Sequence, residues 1–182
     1  MTVRASLFLQ ELLDERVTDV VGLPDNSSAA LFARLGRGGP IRLHTVTREG
    51  EAFALAAGLW MGGARPLVLI QNTGLLESGD SLRGTLMRMR VPVVCVITYR
   101  GHAKMTRVLG GPPKAVDPSL LARNDLDSVA LVTEPTLAAW GLACETLGTE
   151  ADLPRVREAF RRSDEKAEPV GLLLTCDMVA GE

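Results

Sequence analysis

A chain of 182 residues with 46% apolar and 23% charged residues has the balance of one globular domain with a real core, and excludes a disordered or fibrous class. A formal net charge of -2 supplies no bulk attraction to nucleic acid or an anionic membrane, so neither is an expected partner. Cys95, Cys144 and Cys176 stand far apart in apolar runs without paired spacing, which points to reduced thiols in a cytoplasmic setting rather than zinc or redox chemistry.

Residues 3–15 mix charged and apolar groups in a pattern that suits an amphipathic helix and lacks the apolar core of a signal peptide. No segment has the length and apolarity of a membrane span. A first strand is predicted at 19–22, turning through Gly22-Leu23-Pro24-Asp25-Asn26 into a helix at 28–35. A second strand at 42–46 leads through Thr47 and Arg48 into a helix at 49–62. The third strand, 66–70, ends on Gln71-Asn72-Thr73-Gly74, a turn before a helix at 79–89. The fourth, 92–98, ends on Tyr99-Arg100-Gly101-His102. The stretch 101–118 contains Gly110-Gly111-Pro112-Pro113 and several basic residues, and reads as a mobile loop able to act as a lid. A fifth strand at 128–132, helices at 136–147 and 153–162, and a last strand at 170–175 complete the chain. Strands and helices alternate, and the unbroken apolar run Val93-Val94-Cys95-Val96-Ile97 calls for burial on both faces. The expected fold class is therefore α/β: a three-layer α/β/α sandwich around a six-stranded, mainly parallel sheet, with residues 1–182 as a single domain.

Ligands of such sheets gather at the carboxyl ends of the strands, where the turns after the first four strands could surround one cleft edge. Several residues there have both an ordinary and a chemical reading. Glu49 is an acid in the first turn of a helix, where the helix dipole stabilises it. Glu51, two positions on, is turned by about 200° and is expected to be structural or to face a partner. Asp25 follows a proline, as turn-forming aspartates do, and Thr73 or Ser78 could cap the helix after the third strand. Arg100, Lys104 and Arg107 could neutralise a phosphonate, sulfonate or carboxylate, with solvated surface charge as the default for each alone. His102 reads as a loop histidine, His44 as a satisfied packing residue, and Arg83, Arg88 and Arg90 as an exposed helix face.

The run Thr47-Arg48-Glu49-Gly50-Glu51-Ala52-Phe53-Ala54-Leu55-Ala56-Ala57-Gly58, then Pro66-Leu67-Val68-Leu69-Ile70-Gln71-Asn72-Thr73-Gly74-Leu75, then Val91-Pro92-Val93 through Tyr99-Arg100-Gly101, resembles the phosphonopyruvate and sulfopyruvate decarboxylases. Gly22-Leu23-Pro24-Asp25 is similar to their first strand turn. The resemblance implies a thiamine-diphosphate-binding fold and a pyrimidine-binding domain. It makes Glu49 the acid that hydrogen-bonds the pyrimidine ring nitrogen and promotes the imino tautomer that activates the cofactor. It places Asn72, Thr73 and Gly74 beside the cofactor, and Asp25 and His102 where protons are handled near the reacting carbon.

The chain departs from the family beyond Gly101, and Thr175-Cys176-Asp177 stands where a basic residue is common. The diphosphate of thiamine diphosphate is usually anchored by Mg²⁺ on a Gly-Asp-Gly segment and a following Asn-rich stretch. The sequence contains neither, so no metal ligand is expected in this chain. Mg²⁺ and the diphosphate are then expected on a β subunit, with this chain as the α subunit of an α2β2 heteromer whose active sites lie between subunits. The expected reaction is decarboxylation of a small anionic 2-oxo acid, such as sulfopyruvate or phosphonopyruvate, to an aldehyde. The alternatives are a thiamine-dependent carboligase subunit and a noncatalytic structural or regulatory subunit. A nucleotide-binding α/β protein is a weaker rival, because no phosphate-cradling Gly-rich loop follows the first strand.

Overall fold

A computed structural model describes residues 2–181. Strand β1 (Thr2–Arg4) leads directly into α1 (Ala5–Asp14), followed by β2 (Asp19–Gly22), α2 (Ala29–Leu35), β3 (Arg42–Thr45) and α3 (Glu49–Met61). The middle of the chain holds β4 (Pro66–Gln71), α4 (Asn72–Glu77), α5 (Gly79–Ser81) with a π-helical turn at Leu82–Met87, and β5 (Val94–Thr98). Then come α6 (His102–Leu109), α7 (Pro118–Leu121), α8 (Ser128–Trp140), β6 (Ala143–Leu147), a 3₁₀ turn at Glu150–Asp152, α9 (Pro154–Lys166), β7 (Val170–Leu174) and β8 (Asp177–Val179).

Six strands form one all-parallel sheet in the order β3-β2-β4-β5-β7-β6, and β1 pairs with β8 in a separate parallel ladder. Successive strand residues point to opposite faces, and here both faces are covered. Val20, Leu67, Leu69, Val94, Val96 and Leu172 pack with Phe8 and Leu12 of α1, Phe32 of α2 and Phe160 of α9. Val21, Val68, Ile70, Cys95 and Ile97 face the other way, against Phe53 and Ala56 of α3 and Leu131 of α8. Phe8, Phe53 and Phe160 are fully buried, each contributing about 1.5–3 kcal/mol of apolar burial. The three-layer α/β/α sandwich expected from the sequence is the observed architecture.

Five local expectations are corrected. The segment 128–132 is not a strand: it opens α8, whose buried side is Val129, Ala130, Leu131, Thr133 and Leu137, with the Asp127 carboxylate accepting a hydrogen bond from the Val129 N–H at 3.3 Å. Tertiary packing and the cap override the β-branched composition. The segment 136–147 is consequently not one helix. Gly141, at φ 75°, ends α8, and β6 follows as an edge strand whose partly exposed Ala143, Cys144 and Glu145 gave no apolar alternation to read. The stretch 101–118 is not a loop throughout, because α6 occupies its first half. Gly101 and Gly110 cap that helix at φ 83° and 80°, and the breaking residues all lie beyond it. Finally, residues 2–4 are a strand rather than the first helical turn, and Asn72 already lies in a helix.

Candidate active site

The strand order runs outward in both directions from the β2–β4 pair, and such a switch point leaves a crevice at the carboxyl ends of the strands. Beyond β2 stands Asp25, beyond β3 Glu49, beyond β4 the segment Gln71 to Gly74, and beyond β5 the segment Tyr99 to His102.

Glu49 is the first residue of α3, and it packs directly on Gly74 in the first turn of α4. A Cβ at position 74 would fall on the Glu49 side chain, so glycine is what lets the carboxylate lie there. Glu49 is half-buried and makes no hydrogen bond or ion pair with the described residues. Its neighbours are all engaged. Arg48 Nη2 pairs with Glu77 at 2.6 Å, and Glu51 accepts from the Thr47 and Arg48 N–H groups at 3.0 and 3.3 Å and from the Thr47 hydroxyl. Those bonds hold the Glu51 carboxyl below its ordinary range and give it the structural role expected of it. The Ser81 hydroxyl on the Gly50 carbonyl at 2.7 Å ties α5 to the start of α3, and the Ser78 hydroxyl on the Gly74 carbonyl closes the end of α4.

Asn72 is fully buried. Its Nδ2 donates to the Arg100 carbonyl at 3.1 Å and to Thr133 Oγ1 at 3.0 Å, joining α4, the β5–α6 turn and α8, while its Oδ1 has no partner among the described residues. Thr73 is exposed on the first turn of α4.

A cleft of about 790 Å³, of a size that accommodates a small molecule, opens beyond Gln71 and Arg100, and its lining does not include Asp25, Glu49, Asn72, Thr73 or Gly74. Arg100, His102, Lys104 and Thr106 form one wall, Asn26, Ser27, Thr175, Cys176 and Asp177 another, and Gln71 and Tyr99 lie between them. Two of the three candidate anion-binding cations therefore face it, whereas Arg107 is exposed outside its lining. Arg100 is already paired, its Nε 2.9 Å from Asp127. Asp127 thus caps α8 and holds a cleft cation at once. The His102 ring lies 4.9 Å from the Tyr99 ring, and its Nε2 is 3.4 Å from Thr106 Oγ1. Burial pushes the His102 imidazole below its ordinary value against the weaker opposing pull of Glu134, which favours the neutral ring. Burial, reinforced by Glu134, pushes the Tyr99 phenol up, and its hydroxyl donates to the Ala130 carbonyl at 3.0 Å.

The chain brings Glu49 together with Gly74, and Arg100 with His102 and Lys104. Thr175, Cys176, Ser27 and Asp127 were not singled out from the sequence as site residues. Only the Asp127-Ser128 pair carried a local signal, that of a helix cap. No group of three or more His, Cys, Asp or Glu residues among the described residues is arranged to hold a metal ion. No described helix is long and apolar enough to cross a membrane.

The chain is 37% identical over 117 residues to a phosphonopyruvate decarboxylase of Streptomyces hygroscopicus, covering 59% of this chain and 29% of that protein. It is 40% identical over 86 residues to the phosphonopyruvate decarboxylase of Streptomyces viridochromogenes, covering 47% and 22%. With the sulfopyruvate decarboxylase subunit alpha of Methanococcus maripaludis it shares 28% identity over 93 residues, covering 51% of this chain and 56% of that subunit. The match thus spans under a third of either phosphonopyruvate decarboxylase and about half of the alpha subunit. No family model matches the chain. The resemblance read from the motifs is borne out by these relatives.

Proposed function

We propose that this relative of the phosphonopyruvate and sulfopyruvate decarboxylases is the pyrimidine-binding component of a thiamine-diphosphate-dependent 2-oxo acid decarboxylase, completed by a second subunit that holds Mg²⁺ and the diphosphate. The observation that carries the reading is Glu49: a half-buried, unpartnered carboxyl group seated on a glycine at the switch-point end of the sheet. Among its immediate neighbours Arg48, Glu51 and Glu77 are bound to one another or to the backbone, and Glu49 alone remains available to a ligand. The residues present fit the pyrimidine end of the cofactor, because an acid with an open approach and a side-chain-free neighbour is what a planar heteroaromatic ring nitrogen requires.

When bound, thiamine diphosphate would supply the carbon nucleophile and the electron sink that decarboxylation needs. The chain's own groups do the rest. Glu49 shares a proton with the pyrimidine at its carboxyl oxygen. Lys104 meets the anionic end of the substrate as a point charge, and Arg100, released from or shared with Asp127, offers a two-pronged contact to the same oxyanion. His102, held neutral at the cleft wall, and Asp25, reached from the cleft lining through Gln71, accept or return a proton beside the carbon that loses carbon dioxide. A second anionic group on the substrate, as in phosphonopyruvate or sulfopyruvate, suits a wall with two cations.

Helix α3 supports the need for a partner. Beyond Glu51 its outer face carries Ala54, Leu55, Gly58 and Met61, all exposed, with Met61 at 68%, so the rest of the helix is apolar on its solvent side as well as on its core side. A helix that is apolar on every side from Ala52 onward belongs inside an assembly. The testing experiment is calorimetric titration of thiamine diphosphate and Mg²⁺ into the chain alone and into the chain assembled with its partner, with sulfopyruvate and phosphonopyruvate turnover measured on the complex. Binding is expected only in the complex. Glu49→Gln is expected to lower turnover at least about 100-fold, and turnover at the parent rate in that variant would overturn the assignment.

A further inference from the structure

We infer that Thr98, with Gln71 beside it, is a positioning residue that aims the Asp25 carboxylate; this rests on the reading of Asp25 as a proton-handling group. Gln71 and Thr98 are the last residues of β4 and β5 and are partners in the parallel register. The Thr98 hydroxyl donates to Asp25 Oδ2, and Gln71 Nε2 approaches the same oxygen at a long 3.5 Å. The other oxygen belongs to Ser28, whose N–H and hydroxyl donate to Oδ1 at 2.8 and 2.9 Å. One carboxylate oxygen therefore ties the β2 turn to the start of α2, while the other reaches the ends of two neighbouring strands.

The two halves of this arrangement do different things. Ser28, 1% exposed, closes the turn and would keep the backbone of Asp25 in place without help. Thr98, 2% exposed, sets the rotation of the carboxylate about its own axis. Its four companions in β5, Val94, Cys95, Val96 and Ile97, are buried apolar residues, and packing alone would be served as well by valine, which has the same branched shape. A hydroxyl buried there costs free energy unless it is bonded, and its bonding partner is Asp25. Gln71 extends the connection outward, since its side chain reaches both Asp25 and the lining of the cleft.

The test compares Thr98→Val, Thr98→Ser, Thr98→Ala and Asp25→Asn in the enzyme assembled with its partner, thiamine diphosphate and Mg²⁺, using sulfopyruvate and phosphonopyruvate. Thr98→Val is expected to lower kcat about 10- to 100-fold with KM within about twofold, and Thr98→Ser to restore it. Serine and alanine differ by the hydroxyl alone, so that pair decides the matter even if the valine variant does not assemble. A second readout needs no cofactor: in the chain alone, labelled with ¹³C at aspartate carboxyl groups, the Asp25 resonance is expected to move in Thr98→Val or Thr98→Ala and to return in Thr98→Ser. An inactive Asp25→Asn beside Thr98 variants of parent kcat would overturn the positioning role and leave the decarboxylase reading standing. Parent turnover by Asp25→Asn, or an assembled parent that decarboxylates neither acid, would overturn the reading on which the inference rests.

Discussion

Glu49 and Gly74 were singled out separately, one as the first acid of a helix and the other as part of a polar turn, and folding places one directly upon the other. Their contact separates stability from function. In Gly74→Ala the new methyl meets the flexible end of a glutamate rather than backbone, so the fold accommodates it by moving Glu49. The helix itself gains, since alanine exceeds glycine in helix propensity by about 1 kcal/mol. The variant is expected to melt at or above the parent temperature while turnover falls about tenfold or more; parent turnover would mean that the position of Glu49 is immaterial. His102 is tested without any ligand. Burial disfavours its imidazolium, so its NMR titration midpoint is expected below the ordinary value of 6.5, and the ring is neutral at pH 7. A midpoint above 6.5 would put the ring in a more solvated or more acidic setting than the cleft wall provides.

At the opposite end of the sheet, β2 and β3 are locked by a buried acid. Asp19, 0% exposed, accepts from Arg42 at 2.8 and 2.9 Å, from the Thr18 hydroxyl at 2.7 Å, and lies 2.7 Å from His44 Nε2. Burial alone would raise its pKa, but the bonds from Arg42, Thr18 and His44 outweigh it and bring the carboxyl down to about 2. Because the folded value lies below the ordinary 3.8, the unfolded chain takes up this proton first as pH falls. The stability that Asp19 supplies is thus complete above about pH 4 and is lost as pH falls through about 2. Urea unfolding at pH 7 and pH 3 is expected to show a smaller acid loss in Asp19→Asn than in the parent, and an equal loss would remove the network from the account. Elements like β2, β4, β5 and β7 were legible because continuous apolar runs permit little else in a sheet covered on both sides. The exchange of strand and helix after Asp127 was not, because Ser128-Val129-Ala130-Leu131-Val132 has the composition of a buried strand and only the capping aspartate argues otherwise. The site was legible to the same degree. Turn residues announced themselves by their motifs, but Thr98 and Asp127 act through partners far away in sequence, and no local pattern reports such a contact.

The whole molecule presents an imbalance that its own core does not relieve. Strands buried on both faces account for the apolar residues of β2, β4, β5 and β7, yet α3 keeps Leu55, Trp60 and Met61 at 39, 37 and 68% exposure, with Ala54 and Gly58 between them. Glu49 begins this same helix on the side of Phe53 and Ala56, roughly opposite Ala54 and Gly58, so a partner on the outer face meets the helix that carries the carboxyl group without covering it. Small residues one turn apart let another helix approach closely, and outside the backbone of α3 itself no described residue lies within 4 Å of a Cβ built at Gly58. A charged group placed on this face leaves the fold intact, because the face already meets solvent. Leu55→Asp is therefore expected to unfold within a few degrees of the parent in isolation, while its partner no longer co-purifies and thiamine diphosphate binding is lost with it. A Gly58→Leu variant is expected to weaken assembly by bulk instead of charge, as read by sedimentation velocity of the mixture. If both variants assemble and bind cofactor as the parent does, the outer face of α3 is not the docking surface, and its exposed apolar residues no longer speak for a partner.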